Sequence, residues 1–284
     1  MSYSRIEATP LSGALGAEIS GVDLARLDDA TFSEIHQAFV DFGVICFRDQ
    51  KLTPQAQAAF ARRFGDLDVH PIVRGTEDIP EVVRVWKPAG ESASFGVGWH
   101  SDNSFFAKPS LGSVLFAATV PPYGGDTLYA SMEKAYDALS TPMKQFLGGL
   151  AAVHSASRAY DPKTTGDEKY RGEAPINYRF DEKAIYSEVT HPVIRTHPES
   201  GRKSVYVNPM FTQKIVGLGE DESRALLRFL YDFSVRPEFT CRLRWQAGTL
   251  TMWDNRSVQH YAVDDYREFD RLMFRVTICG DVPV

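Results

Sequence analysis

Gly98-Trp99-His100-Ser101-Asp102-Asn103 decides how this chain is read. One residue separates His100 from Asp102. Side chains on an extended strand alternate with a period of two, so both project from one side and point at one spot. An imidazole beside a carboxylate suits a divalent transition metal. Two ligands need a third from elsewhere, and His260 in Trp253-Asp254-Asn255-Arg256-Ser257-Val258-Gln259-His260 is the candidate. The plainer account of an isolated His-x-Asp is a hydrogen-bonded surface pair, because that spacing alone carries little specificity.

The residues after His260 add weight. Arg271 heads the apolar run Leu272-Met273-Phe274-Arg275-Val276-Thr277-Ile278-Cys279. Arginine is rarely buried without an anion to pair with. Two histidines and one carboxylate on one face of a metal leave positions open, the facial triad of non-haem Fe(II) oxygenases. A fixed guanidinium near such a site suits bidentate capture of the far carboxylate of 2-oxoglutarate.

With these residues in place, the chain resembles the taurine dioxygenase family of Fe(II)/2-oxoglutarate-dependent oxygenases, which also contains alkylsulfatases and aryloxyalkanoate dioxygenases. The likeness includes Leu15-Gly16-Ala17-Glu18-Ile19-Ser20-Gly21-Val22-Asp23, Gly124-Gly125-Asp126-Thr127, Tyr206-Val207-Asn208, Trp253-Asp254-Asn255 and the segment from His260 to Gly280. It implies Fe(II) held by His100, Asp102 and His260, with 2-oxoglutarate and O2 as cosubstrates. Thr127 then donates a hydrogen bond to the carboxylate that Arg271 holds. A small anionic substrate is hydroxylated, and succinate and carbon dioxide are released. Where the hydroxylated carbon also bears a sulfonate, a sulfate or an ether oxygen, the product collapses to an aldehyde or ketone.

The resemblance also gives His70 and Arg275 to the substrate anion. An outward-facing structural arginine is the other reading of Arg275, and a structural loop histidine that of His70. Tyr206 and Phe211 are candidates to line the pocket, whereas Trp253 and Phe105 are expected to pack. The sequence departs from the taurine enzyme at two places. Val73 stands where that enzyme has a tyrosine, and Gly96 where it has an asparagine. Both polar grips on taurine are therefore missing. The expected substrate is an alkyl or aryl sulfonate, a sulfate ester, or an aryloxy or alkyl carboxylate bulkier than taurine, with taurine itself the alternative.

Two readings from other classes use the same residues. Zinc in a hydrolase can also be held by two histidines and a carboxylate. Nothing in a hydrolase needs Thr127 and Arg271 placed for a dicarboxylate. A non-catalytic cupin-like binding module does not need all three metal ligands intact.

Composition narrows the rest. The chain has 284 residues and a net charge of −6, with no basic footprint for nucleic acid. No charged-then-apolar leader and no apolar run of membrane-spanning length is present, so a cytoplasmic enzyme is expected. The three cysteines, Cys46, Cys241 and Cys279, are an odd count without paired spacing, which argues against a disulfide framework. Cys46 and Cys279, in apolar runs, read as core residues. A homo-oligomer is compatible with the sequence.

Many short strands and few helices do not fit a doubly wound parallel sheet. The reading is mainly β: a double-stranded β-helix, the jelly-roll core of cupins, with helices buttressing one outer face. One domain spans residues 1–284. Two segments read as active-site lids, 88–98, rich in Gly, Ser, Ala and Pro, and 158–188, polar and poorly periodic. Strands 240–245, 248–253 and 272–278 are predicted as the last three.

Overall fold

A computed structural model describes residues 3–91, 96–165 and 178–284. Strands β1 (Glu7–Pro10) and β2 (Ala17–Ser20) are followed by α1 (Asp29–Phe42), β3 (Val44–Phe47), α2 (Pro54–Arg62), β4 (Val82–Lys87), β5 (Gly112–Thr119) and β6 (Thr127–Ser131). Next come α3 (Met132–Ala138), α4 (Thr141–Leu147), β7 (Ala151–Ser155), α5 (Ser157–Tyr160), α6 (Pro162–Thr165), α7 (Glu182–Tyr186), β8 (Glu188–Pro192) and β9 (Ile194–Thr196). The chain ends with β10 (Lys203–Val205), β11 (Thr212–Ile215), α8 (Glu220–Ser234), β12 (Thr240–Leu243), β13 (Leu250–Asp254), β14 (Val258–Ala262) and β15 (Arg271–Ile278).

Local chemistry sets the helix ends. The Asp28 carboxylate accepts from Thr31 N at 2.7 Å and caps α1, which stops at Gly43 in the left-handed region, φ 68°. Thr53 caps α2, with Pro54 as its first residue.

The large sheet runs β1-β2-β3-β13-β5-β15-β4 and a smaller one β12-β6-β14. Alternation along the large sheet sorts its side chains into two sets. Ile45, Phe47, Leu250, Met252, Val276 and Ile278 pack on α1 and α2 through Ile35, Phe39, Ala58 and Phe60. Fully burying a side chain such as Phe39 contributes about 1.5–3 kcal/mol. Val44, Cys46, Val83, Val85, Trp253 and Met273 turn the other way. They meet Tyr129, Cys241, Leu243 and Val258 of the smaller sheet. Two sheets closed on a shared interior, with helices outside one of them, form the expected jelly roll. The interior also receives the odd-numbered residues of β15, Arg271 and Arg275 among them, both buried.

The strands depart from the sequence reading in three places. His260 lies on a strand of its own, β14, which is not among the expected ones, because Val258-Gln259-His260 buries polar side chains and shows no apolar alternation. Strand β11 escapes the sequence reading because it is four residues long and holds one apolar side chain, Ile215. Residues 191–197, whose His191 and His197 ends bracket an apolar stretch that reads as a single strand, split between β8, paired with β7, and β9, paired with β10. Cys279, expected in the core, lies past the end of β15 and is exposed.

Of the expected lids, 92–95 and 166–177 lie outside the described residues. The described flank of the second is tied down. Val73 bridges Tyr178, and Arg179 N donates to Ile72 O at 2.7 Å. Among the described residues, no helix is long and apolar enough to cross a membrane.

A buried ionic network fixes the turn between β13 and β14. Arg256 donates to both oxygens of Asp254, at 2.8 and 2.6 Å, and to Glu199 at 2.6 Å. His197 contacts Asp254 at 2.9 Å and His36 contacts Glu199 at 3.1 Å. The hydrogen bond from His36 and the charge of Arg256 hold the Glu199 carboxyl down at about 2, from an ordinary 4.5, against the opposing effect of burial. A carboxyl depressed on folding adds stability that is full above its unfolded value and is lost as pH falls toward the folded one. Denaturant unfolding of Glu199→Gln is therefore expected to lose less stability than wild type between about pH 4.5 and 2. Parallel losses in the two proteins would remove Glu199 from that account.

Candidate active site

His100 and His260 are brought together by the backbone. Their peptide groups exchange hydrogen bonds, His100 N to His260 O at 3.1 Å and His260 N to His100 O at 2.8 Å. Directly opposed residues carry their side chains on one face, and here the imidazole centroids lie 4.1 Å apart. His100 forms only this bridge, and the chain then turns. Asp102 therefore reaches the same spot from a turn, not from a continuing strand as expected. Asn103 completes that turn at φ 56°, a conformation its short polar side chain tolerates.

One ligand atom from each of His100, Asp102 and His260 lies within 4.8 Å of the others, and all three residues are buried. His100 Nδ1 donates to Gly98 O at 2.8 Å, which leaves the lone pair on Nε2, 3.5 Å from Asp102 Oδ1. His260 Nε2 lies 3.8 Å from the same oxygen. Burial, followed by the neighbouring His100, keeps the His260 imidazole well below its ordinary range and thus neutral. Fixing one ring nitrogen by a carbonyl is how metal-binding histidines are oriented. A convergent pair of imidazoles and a carboxylate fits a divalent cation.

Asp102 is the most heavily supported of the three. Its Oδ2 accepts from Ser113 Oγ at 2.7 Å, and its backbone N donates to Asn255 Oδ1 at 3.0 Å. Burial opposes its charge most strongly, but Arg275 and the two imidazoles outweigh that and hold the carboxyl well below the usual range. Arg275 Nη2 is 2.9 Å from Asp102 Oδ1. Arg275 thus turns inward, as expected, yet it reaches the aspartate first, because a buried carboxylate needs a countercharge.

A second corner gathers around Arg271. Burial lowers the pKa of its guanidinium, and its Nε has no hydrogen-bond partner among the described residues. It sits beside the rings of Trp245 and Tyr266, 5.8 and 5.6 Å from their centroids. Asp126, in the same region, is paired with Arg242 at 2.6 Å. Thr127 Oγ1 accepts from Trp245 Nε1 at 3.0 Å, which leaves its own hydroxyl proton to donate. The Gly124–Gly125 turn exists so that this corner can close. Both residues have positive φ, and added Cβ atoms would come within 2.7 Å of Asp265 and 3.1 Å of the Tyr266 ring.

A family model described as taurine catabolism dioxygenase TauD, TfdA family matches residues 7–277. The chain belongs to this family. An alkylsulfatase of Acinetobacter baylyi is 36% identical over 98% of this chain and 86% of its own length. An alpha-ketoglutarate-dependent sulfate ester dioxygenase of Pseudomonas putida is 35% identical over 98% and 91%. A crystal structure of a taurine dioxygenase from Burkholderia xenovorans superposes with a TM-score of 0.82 at 36% identity, covering 99% of this chain and 93% of that one. This member of the TauD/TfdA family is an α-ketoglutarate-dependent dioxygenase, with α-ketoglutarate being 2-oxoglutarate. Dependence on that cosubstrate, on O2 and on a metal comes with the family.

The remaining sequence-derived residues fall into two groups in this TauD/TfdA fold. His70 approaches the site. Its Nδ1 accepts from the backbone N of Ile72 and Val73, both at 3.1 Å, and its ring hydrogen-bonds the Asn103 side chain. Burial, then Arg275, lowers its pKa to about 4, so His70 is a neutral N–H donor, not a cation. Gly96 lies beside His100, where an added Cβ would be 3.6 Å from Cε1. Its φ of 75° is one that asparagine also adopts. Phe211 meets the His100 ring edge-on at 6.0 Å.

Tyr206 does not face the metal ligands, and Val73 stays in the interior. The contacts of Tyr206 are with Arg195, His154 and His191, behind the metal-site turn, because Val205 and Val207 face the other way into a separate core. Val73 is packed in the interior cluster of the jelly roll. Sequence reasoning gives no role to Trp245, Tyr266, Ser113 or Asn255. Only Asn255 stands in a quoted stretch, and nothing local marks a buried serine or tryptophan as a hydrogen-bond partner of a distant side chain.

Proposed function

We propose that this dioxygenase hydroxylates a small anionic organic substrate, an alkyl or aryl sulfonate, a sulfate ester, or an aryloxy or alkyl carboxylate, with Fe(II) held by His100, Asp102 and His260. The observation that carries this reading is the convergence of those three buried side chains in a fold whose interior also holds a buried Arg271. When bound, Fe(II) supplies the redox chemistry by which substrate, O2 and 2-oxoglutarate become hydroxylated product, succinate and carbon dioxide. Arg271 and Thr127 hold the far carboxylate and so set the cosubstrate's direction. Ser113 and Asn255 hold Asp102, and Gly98 O holds His100. Arg275 contributes positive charge toward the substrate anion, and His70 lies beside it as a neutral imidazole whose one N–H is shared with the Asn103 side chain.

The apolar part of the substrate has a natural place. Ile72, Phe105, Tyr160 and Phe211 form a cluster that touches His100 through Phe211 and His70 through Tyr160. These rings favour a bulkier tail than that of taurine. Each buried methylene contributes about 0.8 kcal/mol, so four added carbons are worth about 3 kcal/mol, or about a hundredfold in kcat/KM. A homologous series with a fixed anionic head, scored by succinate release and oxygen uptake, is expected to climb from taurine to longer alkyl and aryl members, with uncharged analogues poor. A flat series, or taurine at the top, would contradict this assignment. The same assay across sulfonates, sulfate esters and aryloxy acids tests the substrate class.

A further inference from the structure

Tyr129 is fully buried in the interior of the jelly roll, and its hydroxyl has no hydrogen-bond partner among the described residues. Buried tyrosine hydroxyls ordinarily find one. Its place in the sheet is informative. On β6 it stands two residues beyond Thr127, so both side chains lie on the interior face. It is directly opposite His260 on β14, and its ring centroid is 6.3 Å from that imidazole. Burial acts most strongly on the Tyr129 hydroxyl, the Cys241 and Cys46 thiols next and the charge of Arg271 after them, and the phenol in turn acts on Arg271. The orphaned hydroxyl therefore lies in the interior that His260 and Arg271 also face.

We propose that Tyr129 donates its hydroxyl hydrogen bond to the far carboxylate of 2-oxoglutarate, as a third cosubstrate-binding residue beside Arg271 and Thr127. The inference rests on the reading of Arg271 and Thr127 as the anion corner. A carboxylate offers about four lone-pair sites. Two donors of the guanidinium fork, the Thr127 hydroxyl and the Tyr129 hydroxyl fill them. The unpartnered Arg271 Nε is the other buried donor awaiting an acceptor there. A cosubstrate lacking the far carboxylate gains nothing from Tyr129, so the residue acts on cosubstrate selectivity.

The test is anaerobic calorimetry on the full-length protein loaded with Mn(II), titrated with 2-oxoglutarate and, separately, with pyruvate, which has no far carboxylate. Tyr129→Phe is expected to weaken 2-oxoglutarate about tenfold to a hundredfold and to leave pyruvate unchanged. The ligand-free variant is expected to melt no lower than wild type, because removing an unsatisfied hydroxyl leaves no partner stranded. Unchanged 2-oxoglutarate affinity, equal losses for both ligands, or a lower ligand-free melting temperature would each overturn the proposal. Arg271→Leu in the same titration separates the two readings. If it too leaves 2-oxoglutarate binding unchanged, the anion corner and the proposal fall together. If it weakens binding while Tyr129→Phe does not, only the assignment of Tyr129 fails.

Discussion

Asp102→Ala is expected to lose turnover completely and to bind Fe(II) more than about a hundredfold more weakly. Outer partners of metal ligands alone cost about 10–100-fold when mutated, and Asp102 is proposed as a ligand itself. It is also the residue on which both histidines and Arg275 converge, at 3.5, 3.8 and 2.9 Å. The alanine variant carries a second effect that must be separated. It takes away the carboxylate paired with the buried Arg275, a change that costs about 3–5 kcal/mol of stability. Asp102→Asn keeps the volume and provides the comparison, with melting temperature and anaerobic iron titration measured on both. A folded Asp102→Ala protein with full iron affinity and full turnover would sink the assignment of the metal ligands.

Arg271→Leu is expected to raise the 2-oxoglutarate requirement about ten- to hundredfold while leaving iron binding nearly intact. A charge-assisted contact is worth about 1.5–3 kcal/mol, which converts to that range. The split between the two ligands is set by position. Arg271 begins β15, next to Tyr266 and Trp245, whereas Asp102 is supported by Ser113, Asn255 and Arg275. Half-saturation for 2-oxoglutarate and iron affinity, measured on the same preparation, check it. An unchanged half-saturation would move the anion to Arg275.

The metal-ligand candidates are legible in the sequence because their chemistry is narrow. A histidine and a carboxylate one residue apart, a distal histidine and an arginine in an apolar run constrain each other. The two-faced strands are legible for a similar reason, since the alternation of Val44-Ile45-Cys46-Phe47 splits between two cores. What stays hidden is long-range and polar. Strand β14 buries Gln259 and His260, so it carries no apolar signature. The hydrogen bonds from Trp245 to Thr127 and from Ser113 to Asp102 join segments far apart in the chain. Tyr206 misleads because a buried tyrosine near an active-site motif is equally at home behind it, against Arg195. Val73 is buried in the interior cluster that also holds Tyr129 and Met273, a placement its apolar side chain alone does not locate in the sequence.

The most direct measurement is the yield of succinate per O2 consumed, with an alkyl sulfate or sulfonate present, before and after Fe(II) is removed by a chelator and restored. Equal amounts of succinate, O2 consumed and oxidised substrate are expected, falling to background with the chelator and returning with Fe(II). Product that forms without 2-oxoglutarate, or that depends on added zinc, would contradict the account and assign the same three ligands to hydrolysis.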